Sequence, residues 1–191
     1  MEQNELYPIF LKVSQLNVLI VGGGKVAYEK LYFLLKSSPH AKVLVVAKSF
    51  TSKLKKIALK HNTPIMFSEY DKSFLYKQHI VIAATNNSEV NKQIYTDSKA
   101  KNILVNVADT PNLCDFYLGG IVTKGNVKIA ISSNGKSPIL TKRLRQYFEE
   151  VIPNNINELT ENLDLYRKTL KDNFSNKVLQ LNKLTKTLLI K

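Results

Sequence analysis

Residues 16–21 read LNVLIV, an apolar run of strand length, and it stops on Gly22, Gly23 and Gly24. From Lys25 onward the apolar residues Val26, Ala27, Leu31, Leu34 and Leu35 fall at the spacing that lines one face of an α-helix. A strand that ends on glycine and turns at once into a helix is a strong constraint. In the spacing Gly22-x-Gly24-x-x-Ala27, the first glycine permits a tight turn. The second lets the backbone approach a bound group, and the small third residue lets helix and strand pack closely. The competing reading is a plain tight turn with no ligand.

The same alternation continues downstream. Residues 42–47 (KVLVVA), 64–67, 79–84 (HIVIAA) and 102–107 (NILVNV) read as further buried strands. A Lys-rich amphipathic helix over 51–61 and a helix opening at Ser88 separate them. Alternating strands and helices predict an α/β chain with a Rossmann-like parallel sheet covered on both faces. After Asp109 the pattern changes. Residues 121–124 and 127–131 flank Gly125-Asn126 and predict a β-hairpin. Ser137-Pro138 then opens a helix, with serine before it and proline at its first position. From Asn154 to the end the chain reads as helical, punctuated by leucines as far as Leu188. The expected division is 1–112 for the sheet domain, 113–150 for a hairpin and helix dimerisation or substrate region, and 151–191 for a C-terminal helical region. The hairpin and the helices are too small to form a core alone, so they are expected to pack against a second copy of the chain.

Composition narrows the function classes. The chain has 191 residues, 44% of them hydrophobic, with no apolar run long enough for a transmembrane helix. Its start, residues 1–7, is polar and acidic and lacks the layout of a signal peptide, so a cytoplasmic location is expected. Cys114 is the single cysteine, which excludes an internal disulfide. His40, His61 and His79 have no metal-ligand spacing, and no metal site is expected. The formal net charge is +13, yet arginine occurs only at Arg143, Arg145 and Arg167. Sequence-reading nucleic-acid proteins favour arginine, so an anionic small molecule is the preferred partner rather than nucleic acid.

The glycine loop predicts a dinucleotide whose pyrophosphate sits at the helix N-terminus. An acid roughly 20 residues further on normally binds the ribose. Here the second strand ends on Lys48 and Ser49. Lys48 suits a 2′-phosphate and Ser49 a ribose hydroxyl, so both NAD and NADP stay open. Thr85 and Asn86, after Ala83-Ala84 at the end of the fourth strand, are expected to face the same crevice. Asp109 ends the fifth strand and is a candidate general base; capping the turn before Pro111 is the competing reading. Asp115 is close enough in sequence to do either job. Ser133, Asn134, Gly135 and Lys136, with Arg143 on the following helix, form a candidate anion cradle. The competing reading is a capping loop with solvated charges.

Five ordered segments carry a resemblance: YPIFL from Tyr7, VGGGKVAYEK from Val21, AATNN from Ala83, NVADTPNLCDF from Asn106 and AISSNGKSPILTKRLR from Ala130. Together they resemble precorrin-2 dehydrogenase, the dehydrogenase/ferrochelatase module of the siroheme synthase family. The resemblance spans residues 7–150. It implies oxidation of precorrin-2 to sirohydrochlorin with NAD as hydride acceptor, in a homodimer whose C-terminal parts interlock. It places Asp109 at the family's catalytic aspartate and Ser133 near the tetrapyrrole pocket. Lys25, Val26, Lys48 and Ser49 fall at NAD-contacting positions. The net positive charge would attract this polycarboxylate substrate. Ferrochelatase activity stays open. Two other readings are a regulatory module that binds NAD and an NAD oxidoreductase acting on another polyanion.

Overall fold

The computed structural model describes residues 4–171 and 173–186. Residues 1–3, part of the polar start, and Leu188 lie outside the described residues. The chain divides into two compact units, Met1–Gly119 with Ser132–Ser137, and Gly120–Ile131 with Pro138–Lys191.

The first unit is built on a five-stranded parallel sheet. Its strands are β1 (Asn17–Val21), β2 (Lys42–Ala47), β3 (Ile65–Phe67), β4 (Ile80–Ala83) and β5 (Leu104–Val107), in the spatial order β3-β2-β1-β4-β5. The helices are α1 (Lys25–Ser37), α2 (Ser52–Lys60) and α3 (Ser88–Ala100). Continuous apolar strands are explained by where their alternate side chains go. Val18 and Ile20 of β1 join Leu31 of α1 and Leu54 of α2 in one core. Leu19 and Val21 point the other way and join Ile94 of α3 and Val105 of β5 in a second core. Each fully buried aliphatic side chain here contributes about 1.5–3 kcal/mol. A single polar substitution in β1 would therefore damage one face or the other.

Local chemistry sets the element ends. Thr51 caps α2 by accepting the Leu54 N–H, and Asn87 caps α3 by accepting from Glu89 and Val90. His79 is an anchor rather than a ligand: its Nδ1 accepts the Asn17 N–H at 2.9 Å and ties the start of β4 to β1. Several strands are shorter than expected: Leu16, His79 and Ala84 lie just outside β1 and β4, and two further ends have a clear local cause. Asn102 has φ of 54° and cannot begin a strand; it closes the turn after α3, so β5 starts later. Pro64 lies outside β3, though its carbonyl still accepts from Val45 N–H. A 3₁₀ turn over Lys72–Leu75, capped by Asp71, delivers buried Leu75 to the second core.

The second unit contains the hairpin β6 (Gly120–Lys124) and β7 (Val127–Ile131), with α4 (Pro138–Val151), α5 (Ile156–Thr169) and α6 (Phe174–Thr185). The strands pair antiparallel, with Val122 opposite Ile129. Gly125 at the turn has φ of +55°, and Asn157 of α5 packs so close that a side chain there would collide with it. Asn157 Oδ1 also accepts the Asn126 N–H at 2.8 Å. The expected C-terminal helical region holds two helices, α5 and α6. Leu170 turns extended, and Asn173 starts α6 by accepting the Asn176 N–H. Capping by asparagine competes with helix continuation there. Among the described residues no helix is long and apolar enough to cross a membrane.

Candidate functional site

Strand order reverses direction at β1, with β2 on one side and β4 on the other. The crevice beyond the carboxyl ends at such a reversal is where ligands bind in these sheets. The glycine loop lies in it. Gly22 N–H donates to Val46 O at 2.8 Å, and Ala84 N–H donates to Val21 O at 2.8 Å. The loop is thus stitched to the ends of both neighbouring strands.

The three glycines have different reasons to be glycine. Gly22 has φ of +136°, and a Cβ on it would stand 2.3 Å from the Ala84 carbonyl oxygen. A Cβ on Gly23 would stand 1.8 Å from the Ser49 carbonyl oxygen. The fold itself demands these two. Gly24 is different: its φ is −85°, and a Cβ would meet nothing within 4 Å. The fold leaves open space there, at the N-cap of α1. No side chain caps this helix, and its first turn carries no acid. N–H groups of a first turn lack helical partners and attract anions. Thr51 N–H donates to Gly23 O at 2.9 Å, bringing the start of α2 to the same loop. A shallow cleft of about 340 Å³, lined by Lys25, Tyr28, Glu29, Thr51 and Lys53, lies between these two helix starts. Lys25 is exposed there, and Val26 is half-buried. These features fit a dinucleotide pyrophosphate.

Lys48 and Ser49 are exposed at the end of β2. Lys48 Nζ lies 2.6 Å from Glu69 Oε1, a partner that sequence spacing did not reveal. At the end of β4, Asn86 is exposed, while Thr85 turns inward. Thr85 Oγ1 donates to Asn91 Oδ1 at 2.7 Å, and Asn91 Nδ2 donates to Thr85 O at 3.0 Å. Asn91 is buried on α3 and holds the crevice loop in place. Its one sequence signal is an asparagine inside a helix, where its propensity is poor. Asn91→Ala is expected to cost about 1–3 kcal/mol, because it strands the Thr85 groups. A denaturant melt checks this, and an unchanged midpoint would contradict the role.

Asp109 follows β5 with φ of 57°, a left-handed backbone that few residues besides glycine adopt comfortably. Its side chain is exposed, and among the described residues it has no hydrogen-bond partner. The turn after it, Pro111–Leu113, has no side-chain cap. The capping reading of Asp109 is therefore not what the structure shows. Asp115 does do structural work. Its Oδ2 accepts the Val105 N–H at 3.1 Å, and its Oδ1 pairs with Lys99 at 2.6 Å. Asn106, buried on β5, donates to Phe116 O at 2.8 Å and pins the same segment.

Cys114 Sγ lies 3.3 Å from Val107 N and 3.2 Å from Val107 O. Burial pushes its thiol above the ordinary range, against a smaller opposing pull from the Val107 hydrogen bond. The folded thiol is thus harder to ionise than the unfolded one. Its contribution to stability is complete below the unfolded thiol pKa of about 8.5 and is lost as pH rises through the folded value. Near neutral pH, alkylation is expected to run at least about tenfold slower in the folded protein than in urea. Equal rates would contradict this environment.

The serine loop belongs to the same compact unit as the sheet. Ser133 Oγ accepts the Ser137 N–H and donates to Ser137 O, each at 3.1 Å. Asn134 and Gly135 have φ of 54° and 75°, and Lys136 N–H donates to Ser133 O at 3.0 Å. Ser133 thus closes the turn, and Lys136 is exposed at its rim. Arg143 lies on α4 in the second unit, where Nη1 donates to Gln146 Oε1 at 3.2 Å.

Comparison with known proteins bears on this arrangement. Residues 9–120 match the family model described as "Putative NAD(P)-binding". Residues 124–150 match the model described as "Sirohaem biosynthesis protein central". The chain is similar to a siroheme synthase of Ruthia magnifica, 37% identical over 169 residues, covering 88% of this chain and 35% of that protein. It is 36% identical over 165 residues to a siroheme synthase of Psychrobacter arcticus, covering 86% of this chain and 30% of the other. The chain spans about a third of the length of the curated relatives it matches. The solved structure of SirC, a precorrin-2 dehydrogenase, shares the fold with a TM-score of 0.73 at 24% identity, over 94% of this chain and 89% of that one.

Proposed function

Because the chain belongs to the NAD(P)-binding family whose model matches residues 9–120, we propose that it binds NAD and oxidises precorrin-2 to sirohydrochlorin. The observation that carries the reaction is Asp109, an exposed carboxylate on a strained backbone with no structural partner at the mouth of the sheet. The names of the relatives, siroheme synthase and precorrin-2 dehydrogenase, supply the substrate class.

In this reading Gly22, Gly23 and Gly24, with the backbone of Lys25 and Val26, hold the pyrophosphate at the start of α1. Lys48 and Ser49 face the adenosine ribose, and Thr85 and Asn86 border the middle of the nucleotide. NAD, when bound, supplies the acceptor for the hydride that leaves a tetrapyrrole carbon. Asp109 takes the proton released as conjugation extends. Ser133, Asn134, Gly135 and Lys136 form a rim for substrate carboxylates, and Arg143 on α4 is a separate candidate contact for them. The net charge of +13 speeds the encounter with a polyanion. Residues 1–112 are the nucleotide domain, 113–150 the dimerisation and substrate region, and 151–191 the C-terminal helical region. A cytoplasmic location goes with this reading.

The protein acts as a homodimer in this proposal. Within the second unit, Val122 is the one buried hydrophobic residue among those described. Ile139, Tyr147, Leu165 and Phe174 are all exposed there. So little apolar burial within this unit supports packing against a second copy of the chain. Sedimentation at micromolar concentration is expected to give a dimer, and a monomer would contradict it. The reaction itself is tested by adding precorrin-2 and NAD and following NADH. A nucleotide-binding regulatory module would bind NAD and leave the tetrapyrrole unchanged.

A further inference from the structure

Lys48 follows β2 at the place where a carboxylate normally accepts hydrogen bonds from the nucleotide ribose. Pairing of β3 on β2 brings a carboxylate there by another route. Ala47 is in register with Phe67, and Ser68 N–H donates to Ala47 O at 3.1 Å. The chain therefore leaves β3 alongside the outgoing end of β2. Glu69 Oε1 then lies 2.6 Å from Lys48 Nζ, with side chains 75% and 72% exposed. An exposed pair of this kind adds little to stability, so stability does not account for it. Ser49, next to Lys48, has its carbonyl oxygen against Gly23. The pair thus stands beside the glycine loop.

We propose that Glu69 is a specificity-determining residue: it supplies the ribose-binding carboxylate that β2 lacks and selects a dinucleotide without a 2′-phosphate. The inference rests on the dinucleotide reading of the site. A carboxylate accepts hydrogen bonds from vicinal ribose hydroxyls and repels a phosphate dianion at the same position. It also partners Lys48, whose ammonium would otherwise suit that phosphate. The ambiguity between NAD and NADP that Lys48 creates in the sequence is resolved by a residue 21 positions later.

The test is calorimetric titration of the full chain with NAD and with NADP. Wild type is expected to bind NAD at least about tenfold more tightly than NADP. Glu69→Gln is expected to lower that ratio by about tenfold or invert it, through tighter NADP and weaker NAD. Glu69→Asp keeps the charge and is expected to keep the preference for NAD. Adding Lys48→Gln to Glu69→Gln is expected to weaken NADP again. An unchanged ratio in Glu69→Gln, with NAD still bound, would overturn the role of Glu69 alone. Wild type that binds neither nucleotide would overturn the dinucleotide reading and this inference with it.

Discussion

Asp109→Gly is expected to abolish most turnover while leaving the protein as stable as before or more so. Glycine adopts φ of 57° without penalty, and Asp109 does not. Relief of that strain is worth up to about 1 kcal/mol, partly offset by the greater freedom of glycine in the unfolded chain. Loss of a positioned proton acceptor lowers the rate by about 10²–10⁴-fold. Asp109→Asn also tolerates the left-handed backbone, so it should lose activity without the gain in stability. The two variants separate the carboxylate from the turn. NAD affinity should stay near wild type in both. A thermal melt, a nucleotide titration and a rate measurement on each would check this. Wild-type rates in Asp109→Asn would remove the carboxylate from the mechanism. A marked loss of stability in Asp109→Gly would mean that the side chain holds the turn after all.

The glycine loop gives the second large effect, as a contrast between two alanine substitutions. Gly22→Ala places a Cβ 2.3 Å from the Ala84 carbonyl on a backbone at φ of +136°. β1 and β4 would have to part there, at a cost of about 3–5 kcal/mol. That is a large share of the roughly 5–15 kcal/mol a domain has in total. Gly24→Ala meets no atom within 4 Å and should stay within about 1 kcal/mol of wild type. Its effect should fall on the ligand, with NAD binding at least about tenfold weaker. A Gly24→Ala protein with unchanged melting and unchanged NAD affinity would mean that the pyrophosphate does not approach this backbone.

The parts of the fold that repeat locally were legible in the sequence. β1, the glycine loop and α1 follow from residues 16–35 alone, because period and turn chemistry are both local. The hairpin was marked by Gly125-Asn126. Asp109 was visible as an acid at a strand end, though its left-handed backbone was not. Glu69 could not be found by spacing, since it reaches Lys48 only through the pairing of β3 with β2. Asn91 is similar: its partner Thr85 is six residues away across a cap, and only the fold shows that its buried amide both accepts from and donates to Thr85. The break between α5 and α6 falls in a stretch without leucine, residues 171–178, where the Asn173 cap starts the second helix. Ser133 was read as a ligand contact, and the structure adds that its hydroxyl closes its own turn.

The most direct measurement is anaerobic incubation of the protein with precorrin-2 and NAD, following the tetrapyrrole spectrum and NADH together. The predicted result is conversion to the sirohydrochlorin spectrum with one NADH formed per tetrapyrrole. A precorrin-2 spectrum that changes no faster than in a protein-free control, with NAD bound, would contradict the account.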